Sequence, residues 1–178
     1  MNYAATSIAD DLKYELVDGS EYLMSPPKIN HLRIGSNLHR IISHYLHGKR
    51  CKVFYEAPVI FDEKNHFIPD ILVICDKNKI KPDAIYGAPD FVVEILSPST
   101  RRKDMVLKLN KYLNAGVREY WIVDPKTRKV MTYDLTDELI LKTYDFSETI
   151  PVGIFDGKIK IPFSEVLAEL VDIFGEDF

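Results

Sequence analysis

Hydrophobic positions follow two different periods along the chain, and together these predict a mixed α/β fold. Apolar residues recur at helical spacing over 31–47, and Gly48 follows where a helix end favours a residue that tolerates positive φ. A second amphipathic stripe predicts another helix, which ends at Asn114-Ala115-Gly116. Its apolar positions are Val106, Leu109, Tyr112 and Leu113. Phe163, Val166, Leu167 and Leu170 predict a closing helix.

Short β-branched and aromatic runs predict the strands. Residues 14–24 form two runs around Asp18-Gly19, which is a common hairpin turn. The central strands are expected over 53–61, 68–75 and 90–96, and the later ones over 119–123, 130–135 and 139–146. The order is therefore a hairpin, a helix, three strands, a helix, a strand, and then a further strand pair before the last helix.

Length and composition favour one domain over residues 1–178, because 46% hydrophobic residues suffice for one continuous core. No run approaches the roughly 18 apolar residues that span a bilayer, so no membrane association is expected. Cys51 and Cys75 are far apart and are not expected to form a disulfide or a metal knuckle. These features predict a cytoplasmic protein.

The formal net charge of −4 argues against a protein that coats nucleic acid by bulk charge. Any DNA contact must then come from a local basic patch. Arg101-Arg102-Lys103 is such a patch, although a charged helix start is the ordinary alternative.

Two carboxylates do not fit a purely structural interpretation. Glu94 stands within an otherwise apolar strand, and a buried carboxylate must be matched by a cation, hydrogen bonds or a metal ion. Asp70 follows Pro69, a residue confined to strand starts and edges, and so lies near a rim. If both face one side of the sheet, they supply the hard oxygen ligands that magnesium requires. A salt-bridged structural glutamate remains the alternative.

Several motifs extend over most of the chain. They are Tyr14-Glu15-Leu16-Val17-Asp18-Gly19, Met24-Ser25-Pro26-Pro27, Ile68-Pro69-Asp70-Ile71-Leu72-Val73, the stretch 88–100 that contains Glu94, and the stretch 115–125. Together they resemble the motifs of the Uma2 family of restriction-endonuclease-like proteins. The resemblance implies the PD-(D/E)XK nuclease fold, whose core runs helix, three strands, helix, strand. The segment order above agrees with that core.

The resemblance also implies a site. Asp70 and Glu94 are expected to hold Mg²⁺ or Mn²⁺, with the backbone carbonyl of Ile95 as a third ligand. The chain departs from the general nuclease motif because Leu96 stands where most members of the superfold keep lysine. The expected catalytic lysine is instead Lys108, one turn after Asp104. An Asp104–Lys108 pair on a solvated helix face is its structural alternative, and Lys111 is the substitute candidate.

Glu15 and His31 are weaker accessory candidates, since a single histidine at a helix start is more often a capping or surface residue. The function expected from the resemblance is metal-dependent endonuclease cleavage of DNA by a homodimer. The alternative is a nuclease-fold module whose site is idle and which binds nucleic acid or protein.

Overall fold

The structure is a computed structural model that describes residues 13–97, 107–136, 139–167 and 170. Within these ranges, no helix combines the length and the apolar character needed to cross a bilayer. In chain order the helices and strands are β1 (Tyr14–Val17), β2 (Ser20–Leu23), α1 (Ile29–Leu46), β3 (Lys52–Tyr55), β4 (Val59–Asp62), β5 (Asn65–Phe67), β6 (Ile71–Ile74), β7 (Ile85–Tyr86), β8 (Phe91–Ile95), α2 (Leu109–Ala115), β9 (Glu119–Asp124), β10 (Lys129–Asp134), β11 (Ile140–Asp145), β12 (Thr149–Pro151), β13 (Lys160–Pro162) and α3 (Phe163–Leu167).

The main sheet has six strands in the order β11-β10-β9-β8-β6-β3. Strands β8 and β9 are parallel, and the other neighbours in this sheet are antiparallel. A parallel pair needs a long crossover connection, and here the connection contains α2. The core order of α1, then β3, β6 and β8, then α2 and β9 confirms the predicted mixed fold of helix, three strands, helix, strand.

The two faces of the main sheet bury separate hydrophobic clusters. Side chains alternate along β8, so Phe91, Val93 and Ile95 pack with α1, the β12–β13 pair and α3. Val92 and Leu96 pack on the other face with α2 and a five-stranded sheet of order β2-β1-β5-β4-β7. Both faces of β8 are covered, as its nearly continuous apolar sequence predicts. Glu94 lies inside this covered strand.

One predicted strand is divided in the structure, and another begins later than predicted. The segment 53–61 divides at Glu56, whose φ of 47° ends β3 before β4 joins the second sheet. The segment 68–75 contains only β6, because residues 68–70 form a non-strand link after β5. The short strands β5, β7, β12 and β13 were not predicted, because two or three residues carry too little periodicity.

The expectation that the cysteines do not form a disulfide is wrong, because Cys51 and Cys75 are joined, with a Cα–Cα distance of 3.9 Å. The cause is strand register. Lys52 lies opposite Ile74 in the antiparallel pair β3–β6, so the next residues outward are Cys51 and Cys75. A separation of 24 residues in sequence concealed this neighbour relation.

Candidate active site

Asp70 lies at the rim of the main sheet, immediately before β6, and is 8% exposed. Its Oδ2 accepts a hydrogen bond of 2.6 Å from the backbone N–H of Ile95. Its Oδ1 lies 2.7 Å from Nε2 of His31, in the first turn of α1. These two contacts of Asp70 connect the start of β6 to the end of β8 and to the N-terminal end of α1.

Glu94 belongs to β8 and is 4% exposed. In the β6–β8 pair Ile71 lies opposite Val93, and Asp70 directly precedes Ile71. Side chains alternate along β8, so Glu94 points to the face that α2 covers, where Tyr112 contacts it. Asp70 reaches β8 through the backbone N–H of Ile95, the residue after Glu94, and it reaches α1 through His31.

Lys108 is a buried cation between two glutamates. Its Nζ lies 2.7 Å from Oε1 of Glu94 and 2.8 Å from Oε1 of Glu15. Glu15 reaches this point from β1 and also accepts a hydrogen bond from the backbone N–H of Ile68. Lys108 and Glu15 are 2% and 1% exposed. Lys108 is therefore not a solvated helix lysine. A buried ammonium group requires opposite charges around it, and Glu94 and Glu15 supply them.

Tyr112 joins Glu15, Glu94 and Lys108 in this cluster, although the sequence predicted only a core position for it. The ring is fully buried, and its hydroxyl donates a hydrogen bond of 2.6 Å to Oε1 of Glu94. Burial, and then the Glu94 carboxylate, raise the pKa of Tyr112 well above its usual value, so the hydroxyl stays a donor. The spacing of Lys108 and Tyr112 could have indicated this, since i and i+4 residues share a helix face.

Other predicted residues lie elsewhere. Lys111 pairs with exposed Asp18, away from Glu94, and so is not the substitute for Lys108. Asp104 and the basic run Arg101, Arg102 and Lys103 lie outside the described residues. Glu15 and His31, by contrast, both contact the predicted site residues.

The donor types fit a divalent cation in their chemistry. The carboxylates of Asp70 and Glu94 and the carbonyl of Ile95 are hard oxygen donors, as Mg²⁺ and Mn²⁺ prefer. Across the described ranges, no three His, Cys, Asp or Glu side chains already converge at metal-binding distance. Asp70 contacts the backbone next to Glu94, and the ammonium group of Lys108 is held against the Glu94 carboxylate.

Comparison with known proteins places this chain in a family. A family model described as "Putative restriction endonuclease", Uma2, matches residues 2–161. The chain belongs to the Uma2 family. The protein slr1290 of Synechocystis sp. (strain ATCC 27184 / PCC 6803 / Kazusa), described as uncharacterized, is 30% identical over 129 residues, which are 71% of this chain and 68% of that protein.

A solved structure shares the fold of this Uma2 protein. It is a chain from Anabaena variabilis ATCC 29413, described as "a putative nuclease belonging to DUF820". The TM-score is 0.76 at 22% identity, over 89% of this chain and 91% of the other. Membership of Uma2 supports a nuclease function.

This Uma2 chain has Leu96 at the position where the general nuclease motif has lysine. Leu96 follows Glu94 by two residues, so the two side chains point to the same face of β8. Leu96 is 6% exposed and packs in the cluster beneath α2. The ammonium group of Lys108 approaches Glu94 from the segment that leads into α2 instead. In this chain the lysine that contacts the strand carboxylate therefore comes from the segment before α2 and not from β8.

Proposed function

We propose that this chain, as a single domain, is a metal-dependent endonuclease that hydrolyses phosphodiester bonds in DNA. The observation that carries the proposal is the buried contact of Lys108 with Glu94, one residue before the backbone N–H that donates to Asp70. Asp70 and Glu94, with the carbonyl of Ile95, would hold Mg²⁺ or Mn²⁺. When bound, such an ion polarises a phosphoryl oxygen and lowers the pKa of a bound water.

The chain's own residues have separable roles in this proposal. His31 orients Asp70 through the 2.7 Å contact with Oδ1, and Tyr112 orients Glu94. Lys108 orients the attacking water and offsets the charge that develops on the phosphate. Glu15 holds the ammonium group of Lys108 and is a positioning residue, because its carboxylate bonds to Lys108 and to the backbone of Ile68.

Plasmid and single-stranded DNA cleavage with Mg²⁺ or Mn²⁺ tests the proposal. Asp70→Ala and Lys108→Ala should each lower the rate by about 100-fold or more, as loss of a group that stabilises developing charge does. Glu119→Gln is the matched control. Glu119 is also buried, but it bonds to Trp121 and to the backbone of Ile154, at the other end of the β8–β9 pair. Equal activity in all variants would refute the assignment.

The rival function is an idle nuclease-fold module that binds nucleic acid or protein. One observation favours it: Oε1 of Glu94 and Oε1 of Glu15 both already contact Lys108. Calorimetric titration with Mn²⁺ separates the two functions. Binding that Asp70→Ala abolishes supports the enzyme, whereas no heat of binding up to millimolar Mn²⁺ supports the module. A homodimer and a cytoplasmic location remain predictions.

A further inference from the structure

The chain is acidic overall, yet one continuous segment contains no acidic residue. Residues 22–55 include neither Asp nor Glu, although the chain's average of 27 in 178 residues would put about five in 34. The same segment contains six Lys and Arg residues and four of the five histidines. With six Lys and Arg residues and no acidic residue, this segment has a formal net charge of +6 in a chain whose net charge is −4.

The structure places much of this charge on one side of α1. Arg33, Arg40, His44 and His47 are exposed, and at 100° per residue they fall within an arc of about 60°. Exposed Lys28 precedes the helix. We call these five residues the basic face. It is about 28 Å long at 1.5 Å per residue. The opposite side of α1, with Ile34, Leu38 and Ile42, packs on the sheet.

Helix capping does not account for the basic face. Basic residues near a helix C-terminus stabilise its dipole, and Lys49, Arg50 and Lys52 beyond α1 have structural contacts of their own. Lys28, however, lies at the N-terminal end, where positive charge is unfavourable, and Arg40 lies mid-helix. Within the described parts of the chain, neither side chain forms a hydrogen bond or an ion pair.

The N-terminal end of the basic face lies near the candidate active site. Lys28 precedes the first turn of α1, and His31 in that turn contacts Asp70 from the side of the helix opposite Arg33. A chain of phosphates that lies along the basic face therefore reaches, at Lys28, the end of α1 that contacts Asp70. DNA carries one negative charge per about 1.7 Å of axis, so a face of this length meets several phosphates.

We infer that the basic face of α1 binds the phosphate backbone of duplex DNA and leads it to the rim of the sheet. The inference rests on the proposed function for the identity of the polyanion. An anionic membrane fits less well, because helices that lie on membranes insert an apolar face, and the apolar face of α1 packs inside the protein.

Binding of a short fluorescent DNA duplex in EDTA, over a series of NaCl concentrations, tests the inference without cleavage. The double variant Lys28→Glu with Arg40→Glu should weaken duplex binding by about 10-fold or more. It should also reduce the magnitude of the slope of log K against log [NaCl] by about 2, where K is the binding constant. The matched control, Lys142→Glu with Lys160→Glu, changes net charge equally at exposed positions of β11 and β13. It should weaken binding by no more than about 3-fold.

Circular dichroism verifies that each variant is folded, and Lys28→Gln with Arg40→Gln replaces the charge reversal if it is not. Equal weakening by test and control variants overturns the inference. So does a wild-type protein that binds anionic vesicles and not the duplex. Failure of the proposed function has a different outcome: duplex binding depends on the basic face, but Asp70→Ala changes no cleavage.

Discussion

The Lys108 ammonium group contacts the carboxylate of Glu94 although the residues are 14 positions apart in sequence. The Nζ–Oε1 distance is 2.7 Å, and both side chains are almost fully buried. The contact joins the segment before α2 to β8. It also means that Glu94 is charge-compensated in the folded protein by the residue expected to take part in catalysis.

Lys108→Met should destabilise the protein, because it removes a buried partner of two carboxylates. The expected loss is about 3 kcal/mol of unfolding free energy. Mn²⁺ should restore more stability to this variant than it adds to the wild type, since an added cation replaces the missing charge. Urea unfolding with and without Mn²⁺ measures both effects. Lys111→Met is the control, because Asp18, its partner, is exposed. Equal stability of both variants would be inconsistent with a buried ion pair at Lys108.

His31→Asn should weaken Mn²⁺ binding by about 10- to 100-fold, as loss of a partner that orients a metal ligand does. The reason is the contact of Nε2 with Oδ1 of Asp70. Calorimetry measures the affinity, and cleavage rates should fall in parallel. His44→Asn changes an exposed histidine of the same helix and should leave the Mn²⁺ affinity unchanged. Unchanged affinity in His31→Asn would assign the histidine a purely structural role.

The raised pKa of Tyr55 predicts that the folded protein loses stability at alkaline pH. Burial, followed by the carboxylates of Glu56 and Asp70, raises the pKa of Tyr55 to about 12 from its usual value of 10.0. The folded protein therefore holds the phenol proton more tightly than the unfolded chain. Its contribution to stability is complete below pH 10 and is lost as pH rises through 12.

Comparison with Tyr55→Phe isolates this effect. The Tyr55 hydroxyl is buried without a hydrogen-bond partner among the described residues, so the variant should be folded. The difference in unfolding free energy between wild type and variant should be constant below about pH 10 and should shift in favour of the variant above it. Tyr14→Phe, at an exposed position, is the control. A difference that is flat up to pH 12 would contradict the raised pKa.

The Cys51–Cys75 disulfide should contribute about 3 kcal/mol, the amount typical for a closed loop of this length. Replacing both cysteines by serine should lower the urea midpoint accordingly, and a reductant should lower the wild-type midpoint but not that of the variant. Thiol titration of the native protein gives a direct check. Two reactive thiols in non-reduced protein would show that the bond is not formed.

The sequence predicted the core order because periodicity and turn residues are local properties. It also identified the Glu94 carboxylate by its contrast with the apolar residues of β8. Tertiary contacts were harder to predict from the sequence. The contact of Glu15 with Lys108 and the pairing of Cys51 with Cys75 depend on how strands align across the sheets, and no local pattern encodes that alignment. The division of 53–61 likewise depends on the positive φ of Glu56, a residue that rarely adopts it.

Asp70 and Glu94 are proposed to share one divalent cation. Anomalous difference density from crystals soaked with Mn²⁺ tests this proposal. The expected result is a peak at the rim of the main sheet, about 2.2 Å from oxygens of Asp70, Glu94 and the Ile95 carbonyl. A peak bound by other residues, or no peak in crystals saturated with Mn²⁺, would contradict it.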